Sequence, residues 1–136
     1  MAPEDYKRLV RRYQDIYNQN QLDLLPTVLA DDLLTPTILP GLPAGLEGAR
    51  AAHRLMLEGF PDFETVIDDL VAQGDRVAAR ITMRGTNQGP FMGIPATGRH
   101  VQFSGMYIVR CRDGKIVEHW SVEDAVGLMS QLKAGE

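Results

Sequence analysis

Between residues 114 and 129 the chain reads GKIVEHWSVEDAVGLM, and this stretch holds most of its candidate chemistry. Glu118, His119 and Trp120 sit on a strand-like run, and Glu123 and Asp124 stand where a helix begins. A carboxylate at Asp124 can take a proton from a carbon next to a carbonyl only if burial lifts it, because a free Asp, with a pKa of about 3.9, is a feeble base. Position alone also supports a plainer role, a helix cap worth about 0.5–2 kcal/mol. His119 titrates at about 6.5 when unperturbed, so it is a candidate general acid or base; the plain alternative is a half-buried strand histidine. Glu118 is either a buried acid of raised pKa or half of an ion pair with an arginine, and its position favours the ion pair. His53 lies in a helical segment with Met56 and Phe60 at i+3 and i+7, which puts it on the inner face. Trp120 and Tyr107 read as packing.

Other chemistries lack their residues. The chain has no G-x-S-x-G elbow, no G-x-x-x-x-G-K loop and no dinucleotide fingerprint after a strand. His53, His100 and His119 lack metal-ligand spacing, so no metal is expected. An enzyme of this composition is expected to work without a cofactor, by proton transfer inside an apolar pocket.

The elements that must position these groups are legible in the pattern. Tyr6, Leu9, Val10, Tyr13, Ile16 and Tyr17 form a helical stripe over residues 3–18, with Pro3, Glu4 and Asp5 suited to its start. LDLLPTVLADD predicts a second, short helix, LLTPTILPGLPAG an irregular crossing, and residues 46–58 a third helix stopped by Gly59. The period then becomes two. FETVIDDLVAQ, RVAARITMRGT, HVQFSGMYIVRCR and KIVEHWS predict strands, with turns at Gly74-Asp75 and Asp113-Gly114, and EDAVGLMSQL predicts a closing helix. Val77, Ala79, Ile81 and Met83 share one strand face. Helices followed by an antiparallel sheet make the class α+β.

A chain of 136 residues, 44% hydrophobic and 24% charged, fits one globular domain spanning 1–136 that can bury a core and a small cavity. A net charge of -4 recruits neither nucleic acid nor an anionic membrane. No apolar run is long enough to span a bilayer, and MAPEDYKRLVRR is not a secretory signal, so a cytoplasmic location is the default. Cys111 is the single cysteine and has no partner for a disulfide.

A two-residue Asp113-Gly114 turn predicts that Arg110 faces Val117, Ile108 faces His119 and Tyr107 faces Trp120. Val101, Phe103, Tyr107, Val109, Cys111, Ile116, Glu118 and Trp120 then share an almost wholly apolar face. Met106, Ile108, Arg110, Val117 and His119 share a mixed one. Both faces are too apolar for open water, so one is expected against the helices and the other against a second subunit. The mixed face suits a pocket with a few convergent polar groups; in the alternative the apolar face is the core and the mixed face meets solvent.

FPDF at 60–63, GDRVAAR at 74–80, FMGIPATGR at 91–99, DGKIVEHW at 113–120, and Asp124 followed by GLMSQL carry a resemblance to a family. The chain resembles the SnoaL-like polyketide cyclases, or ester cyclases, of the nuclear-transport-factor-two-like superfamily. That resemblance implies a cone-shaped α+β barrel, N-terminal helices packed on a strongly curved antiparallel sheet that encloses a pocket. It implies a homodimer through the outer sheet face, which places Phe103, Tyr107 and Trp120 at the dimer surface. It implies Asp124 as the acid/base residue, with His119 sharing the work. Arg110, Ile108, Met106, His53, Met56, Tyr17, Phe91 and Met92 are then the candidate pocket-lining residues. Phe91, Met92 and Ile94, on their Gly/Pro loop, are expected to cover the pocket mouth or touch the partner. Two residues depart from the family: Asn87 stands where GTHxG has His, and LLTPTILPG lacks a His-Asp pair. These departures suit a more apolar ligand.

The implied activity is an intramolecular aldol closure of a small hydrophobic carbonyl compound. The alternatives are a hydrolase, dehydratase or isomerase in the same cone, and a non-catalytic dimeric protein that binds an apolar small molecule. Epoxide opening calls for several carboxylates, which Val77, Ala79, Ile81 and Met83 do not supply.

Overall fold

A computed structural model of the chain describes residues 2–35 and 41–133. Helix α1 spans Pro3–Asn18 as the stripe predicts, with Leu9, Val10, Tyr13 and Ile16 buried. Asp5 turns its carboxylate back to accept the Ala2 N–H at 2.9 Å, satisfying one of the free donors at the helix start. At the other end the Asn18 side-chain amide donates to Thr65 O at 2.8 Å and accepts the Thr65 N–H at 3.0 Å. One amide thus tethers α1 to the edge of the sheet.

LDLLPTVLADD does not make the second helix that its spacing predicts. Leu22–Thr27 is a 3-10 helix, and Leu29–Leu34 leaves as strand β1. Pro26 removes a donor and its ring excludes the carbonyl four residues back, so an α-helix cannot run through it. Leu25, Leu29 and Leu33 are buried at four-residue spacing, which imitates a helix. In β1 that spacing accompanies an irregular register between Leu29 and Leu34. The crossing predicted over LLTPTILPGLPAG falls partly outside the described residues, at 36–40. Helix α2 spans Gly45–Gly59, so Gly59 is its last residue and not a stop beyond it.

The remaining strands are β2 (Glu64–Gln73), β3 (Arg76–Thr86), β4 (His100–Arg112) and β5 (Lys115–Glu123), and helix α3 spans Ala125–Lys133. The sheet order is β1-β5-β4-β3-β2. Strands β2 to β5 pair antiparallel, whereas β1 lies parallel to β5, so the sheet is mixed and its edges stay open. Helices on a five-stranded sheet of this kind form the expected α+β cone. Helix α1 packs on β2 and β3, α2 on β1, and α3 on β4. Val77, Ala79, Ile81 and Met83 of β3 are buried as their alternation predicts.

The β4–β5 hairpin carries the main departure from expectation. Asp113 and Gly114 have φ of 52° and 78°, the two left-handed residues of a type I′ turn. Arg112 faces Lys115 and Cys111 faces Ile116, but then β5 takes one extra residue, Val117. Beyond this bulge Arg110 faces Glu118, Val109 faces His119, Ile108 faces Trp120 and Tyr107 faces Ser121. One inserted residue exchanges the two faces for the rest of the strand.

Strand β5 ends at Glu123, opposite Gly105, and leaves the start of β4 without a neighbour on that side. Gln131 of α3 fills the gap: its side-chain amide accepts the Gln102 N–H at 2.9 Å and donates to Gln102 O at 2.8 Å. Replacing Gln131 by Leu should lower unfolding free energy by about 1–2 kcal/mol, since both hydrogen bonds go and both backbone groups turn to water. Urea denaturation measures this, and an unchanged midpoint would show that the pair contributes nothing.

Candidate functional site

Five rings run in contact from α2 to β5. His53 lies 4.7 Å from Tyr17 between ring centroids, and Tyr17 meets Tyr13 edge-on at 4.9 Å. Tyr13 is 6.0 Å from both Tyr107 and His119, and His119 stacks on Tyr107 at 4.9 Å. The heptad-like spacing of α1 brings Tyr13 and Tyr17 to its inner side, one turn apart. Gln14, also buried, accepts the Tyr107 hydroxyl proton at 3.2 Å.

Burial governs the electrostatics of this cluster. It pushes the His119 imidazole from 6.5 down to about 4, against a smaller upward pull from a backbone hydrogen bond. Burial pushes Tyr17 up to about 12 and Tyr107 higher still. Tyr13 rises well above its ordinary value through burial, then through the neighbouring Tyr17 and Tyr107. At neutral pH the cluster is therefore an uncharged set of three hydroxyls and two imidazoles, able to give and accept hydrogen bonds without a net charge.

His119 reaches this cluster because of the Val117 bulge, which turns His119, Ser121 and Glu123 to the inner side with Tyr107 and Val109. The β3–β4 register corrects the expected pocket face, because Val109 and Tyr107 lie opposite the buried Val77 and Ala79. Met106, Ile108 and Arg110 lie on the opposite, outer face: Met106 and Ile108 are exposed, and Arg110 pairs with Glu118 through a 2.8 Å Nε hydrogen bond. Phe103 and Tyr107, expected at a dimer surface, are buried inside the chain, while Trp120 is on the outer face under the Arg76 guanidinium. Tyr17, Met56 and Phe91 pack partly buried against the core, and His53 is buried. Met92 points away: it is 64% exposed, whereas Phe91 turns in to meet Phe60 at 5.1 Å between ring centroids. Two open surface hollows, one bordered by Asn20, Leu22 and Arg54 and one by Val126 and Met129, are lined by none of the five rings.

Asp124 is exposed and caps α3. Its N–H donates to Ser104 O at 2.9 Å, its carbonyl accepts the Leu128 N–H at 3.1 Å, and Oδ1 accepts the Gly127 N–H at 2.8 Å. A Cβ at residue 127 would lie 2.1 Å from Asp124 Oδ2, so glycine there admits the carboxylate over the helix start. The carboxylate that shares the inner row with His119 is Glu123, whose charge Tyr13 feels.

Sequence reasoning missed Gln14, Tyr13 and Glu123 as members of the site. The tyrosine stripe signals Tyr13, but nothing in it marks the polar Gln14, and nothing local signals a bulge. It also read Asn87 only as a departure. Asn87 is fully buried; its Nδ2 donates to Gly59 O at 3.2 Å and Gly89 O at 2.8 Å. Its Oδ1 accepts the Thr97 N–H at 2.8 Å and the Thr97 hydroxyl at 2.9 Å. Asn87 therefore ties the 87–99 loop to the end of α2. Among the described residues no three His, Cys, Asp or Glu side chains gather as a metal set, and no helix is long and apolar enough to cross a membrane.

Comparison with known proteins adds to this geometry. The family described as "SnoaL-like polyketide cyclase" matches residues 7–132. The chain is 30% identical over 128 residues to the aklanonic acid methyl ester cyclase DauD of Streptomyces sp. (strain C5), covering 91% of this chain and 79% of that protein. It is likewise 30% identical over 128 residues to the aklanonic acid methyl ester cyclase DnrD of Streptomyces peucetius, covering 91% and 88%. The solved structure of TsrD from Streptomyces laurentii superposes with a TM-score of 0.89 at 33% identity over 98% of each chain.

Proposed function

The chain belongs to the SnoaL-like polyketide cyclase family, and on that premise we propose that it is a cofactor-independent, single-domain enzyme that closes a ring in a hydrophobic carbonyl compound by an intramolecular aldol step. The observation that carries this reading is the uncharged ring cluster, with Tyr13, Tyr107 and His53 buried and Tyr17 and His119 half-buried, on the inner face of β5, the face that runs through Ser121 to the Glu123–Asp124 junction. In the reaction the substrate closes over Asp124 and takes its carboxylate out of water, and the carboxylate then takes a proton from the carbon beside one carbonyl. The electron pair left on that carbon attacks a second carbonyl carbon, a carbon–carbon bond forms, and the carbonyl π pair becomes an alkoxide. Asp124, now protonated, returns the proton to that oxygen. His119 stays neutral above about pH 4 and donates a hydrogen bond to the developing oxyanion without adding charge. Tyr17, His53, Met56 and Phe91 are the lining residues of this reading; Met92, Met106, Ile108 and Arg110 stand outside it.

The test uses 2-tetralone, whose C1 methylene is activated by ring and carbonyl together. Catalysed exchange of its C1 protons in deuterium oxide, followed by NMR, is the expected result; tight binding without exchange would leave the second reading, a small-molecule-binding protein. The exposed cap geometry of Asp124 favours that second reading.

The outer sheet face carries a homodimer in this proposal. Met106, Ile108 and Val122 are exposed there beside Val71 and Trp120, an apolar surface flanked by the Arg110–Glu118 and Arg80–Asp68 pairs. Ile108→Glu should convert the dimer to a monomer in light scattering, and a monomeric native protein would remove this part of the proposal.

A further inference from the structure

His53 is 8% exposed, and its Nε2 is enclosed with no hydrogen-bond partner, the one such side-chain atom among the described residues. Enclosing a polar nitrogen unpaired forfeits its hydrogen bond to water, and a native fold keeps such an atom rarely and for a reason. Leucine or phenylalanine would fill the same space on α2, beside Ala49 and Met56, without that cost. The location is informative as well. His53 begins the line of five rings, 4.7 Å from Tyr17, and the hydroxyl of Tyr107 further along is already engaged by Gln14. Burial alone pushes the His53 imidazole below its ordinary value. One ring nitrogen therefore carries a proton at neutral pH and the other accepts one.

We propose that His53 Nε2 is the recognition group for one uncharged oxygen, a ketone, ester carbonyl or hydroxyl, on an otherwise apolar ring-containing ligand. The inference rests on the reading that the cone takes a hydrophobic carbonyl compound, and it names the atom that selects for the oxygen. A site built to pair with a ligand oxygen rejects the matching hydrocarbon, because the buried nitrogen is then left unsatisfied.

The experiment titrates 2-tetralone and tetralin, the same bicycle without the oxygen, into the native chain, His53→Leu and His53→Gln. Binding is read by calorimetry and by the imidazole nitrogen resonances, with circular dichroism to confirm folding. The native chain should bind 2-tetralone about tenfold more tightly than tetralin, with the His53 Nε2 resonance moving only for the ketone. His53→Leu should melt at a higher temperature yet bind both molecules equally, and His53→Gln should keep part of the preference. Should His53→Leu fail to fold, the native nitrogen shift and His53→Gln decide the matter. Equal binding by the native chain, or a preference that survives in His53→Leu, overturns the assignment and leaves Nε2 to a trapped water. Binding of neither molecule overturns both this inference and the reading of the cone. A ketone preference without deuterium exchange keeps the assignment and removes the enzyme.

Discussion

Asp124→Asn should lower the rate of C1 deuterium exchange into 2-tetralone, and of ring closure in a true substrate, by about 10²–10⁴-fold, the usual range for losing a positioned general base. The expectation separates chemistry from folding because asparagine caps a helix about as well as aspartate. The Oδ1 contact to the Gly127 N–H survives the change, and only the charge at the positive end of α3 is lost, worth about 0.3–1 kcal/mol. A collapse of activity with nearly native stability is therefore the signature of a base. Asp124→Ala, which removes the cap too, should cost a further 0.5–2 kcal/mol or so in stability. Glu123→Gln is the informative control, since Glu123 is the carboxylate in the same inner row as His119. Exchange that survives in Asp124→Asn but vanishes in Glu123→Gln would move the base by one residue.

Acid should destabilise the chain through His119 by roughly 3 kcal/mol. The folded imidazole is held at about 4, below its ordinary 6.5, so the unfolded chain takes up the proton first as pH falls. Above pH 6.5 both states are neutral and His119 adds no pH dependence. Between 6.5 and 4 the unfolded state binds more protons, and stability falls by about 1.4 kcal/mol per pH unit; below 4 the loss is complete. His53, also depressed by burial, acts in the same direction. The measurement is urea denaturation of the native chain and of His119→Phe across this range. Phenylalanine keeps a ring against Tyr107 but has nothing to protonate. The native chain should lose roughly 3 kcal/mol of unfolding free energy relative to His119→Phe as pH drops from 6.5 to 4, with the carboxylates cancelling. A difference that stays constant would mean that His119 titrates alike in both states and is not enclosed.

Local patterns fixed most of the elements. The stripe from Tyr6 to Tyr17, the period-two run around Val77–Met83 and the Asp113-Gly114 turn each state their structure over a few residues, because propensity, spacing and turn geometry agree there. Leu25, Leu29 and Leu33 mislead because a bulged strand and a helix bury the same four-residue spacing. The family motif marks Asp124 and His119 but does not say what surrounds them. Asn87 shows the same limit: its type suggests a lost pocket group, while its four side-chain hydrogen bonds, to the end of α2 and within its own loop, make it a clasp.

The sequence by itself determined the α+β class, the family, the hairpin's turn and the pairing next to it, since each depends on residues adjacent in the chain. Only the tertiary structure decided which side of the sheet His119 occupies. That depends on a single extra residue, Val117, accommodated where β5 runs between β4 and the parallel strand β1. A bulge forms when both neighbours and the core accept it, a balance among partners far apart in sequence. It moved His119 inward among tyrosines contributed by α1 and β4, away from Met106, Ile108 and Arg110, which the β3–β4 register holds on the outer face. Burial, which depends on that assembly, then depressed the imidazole.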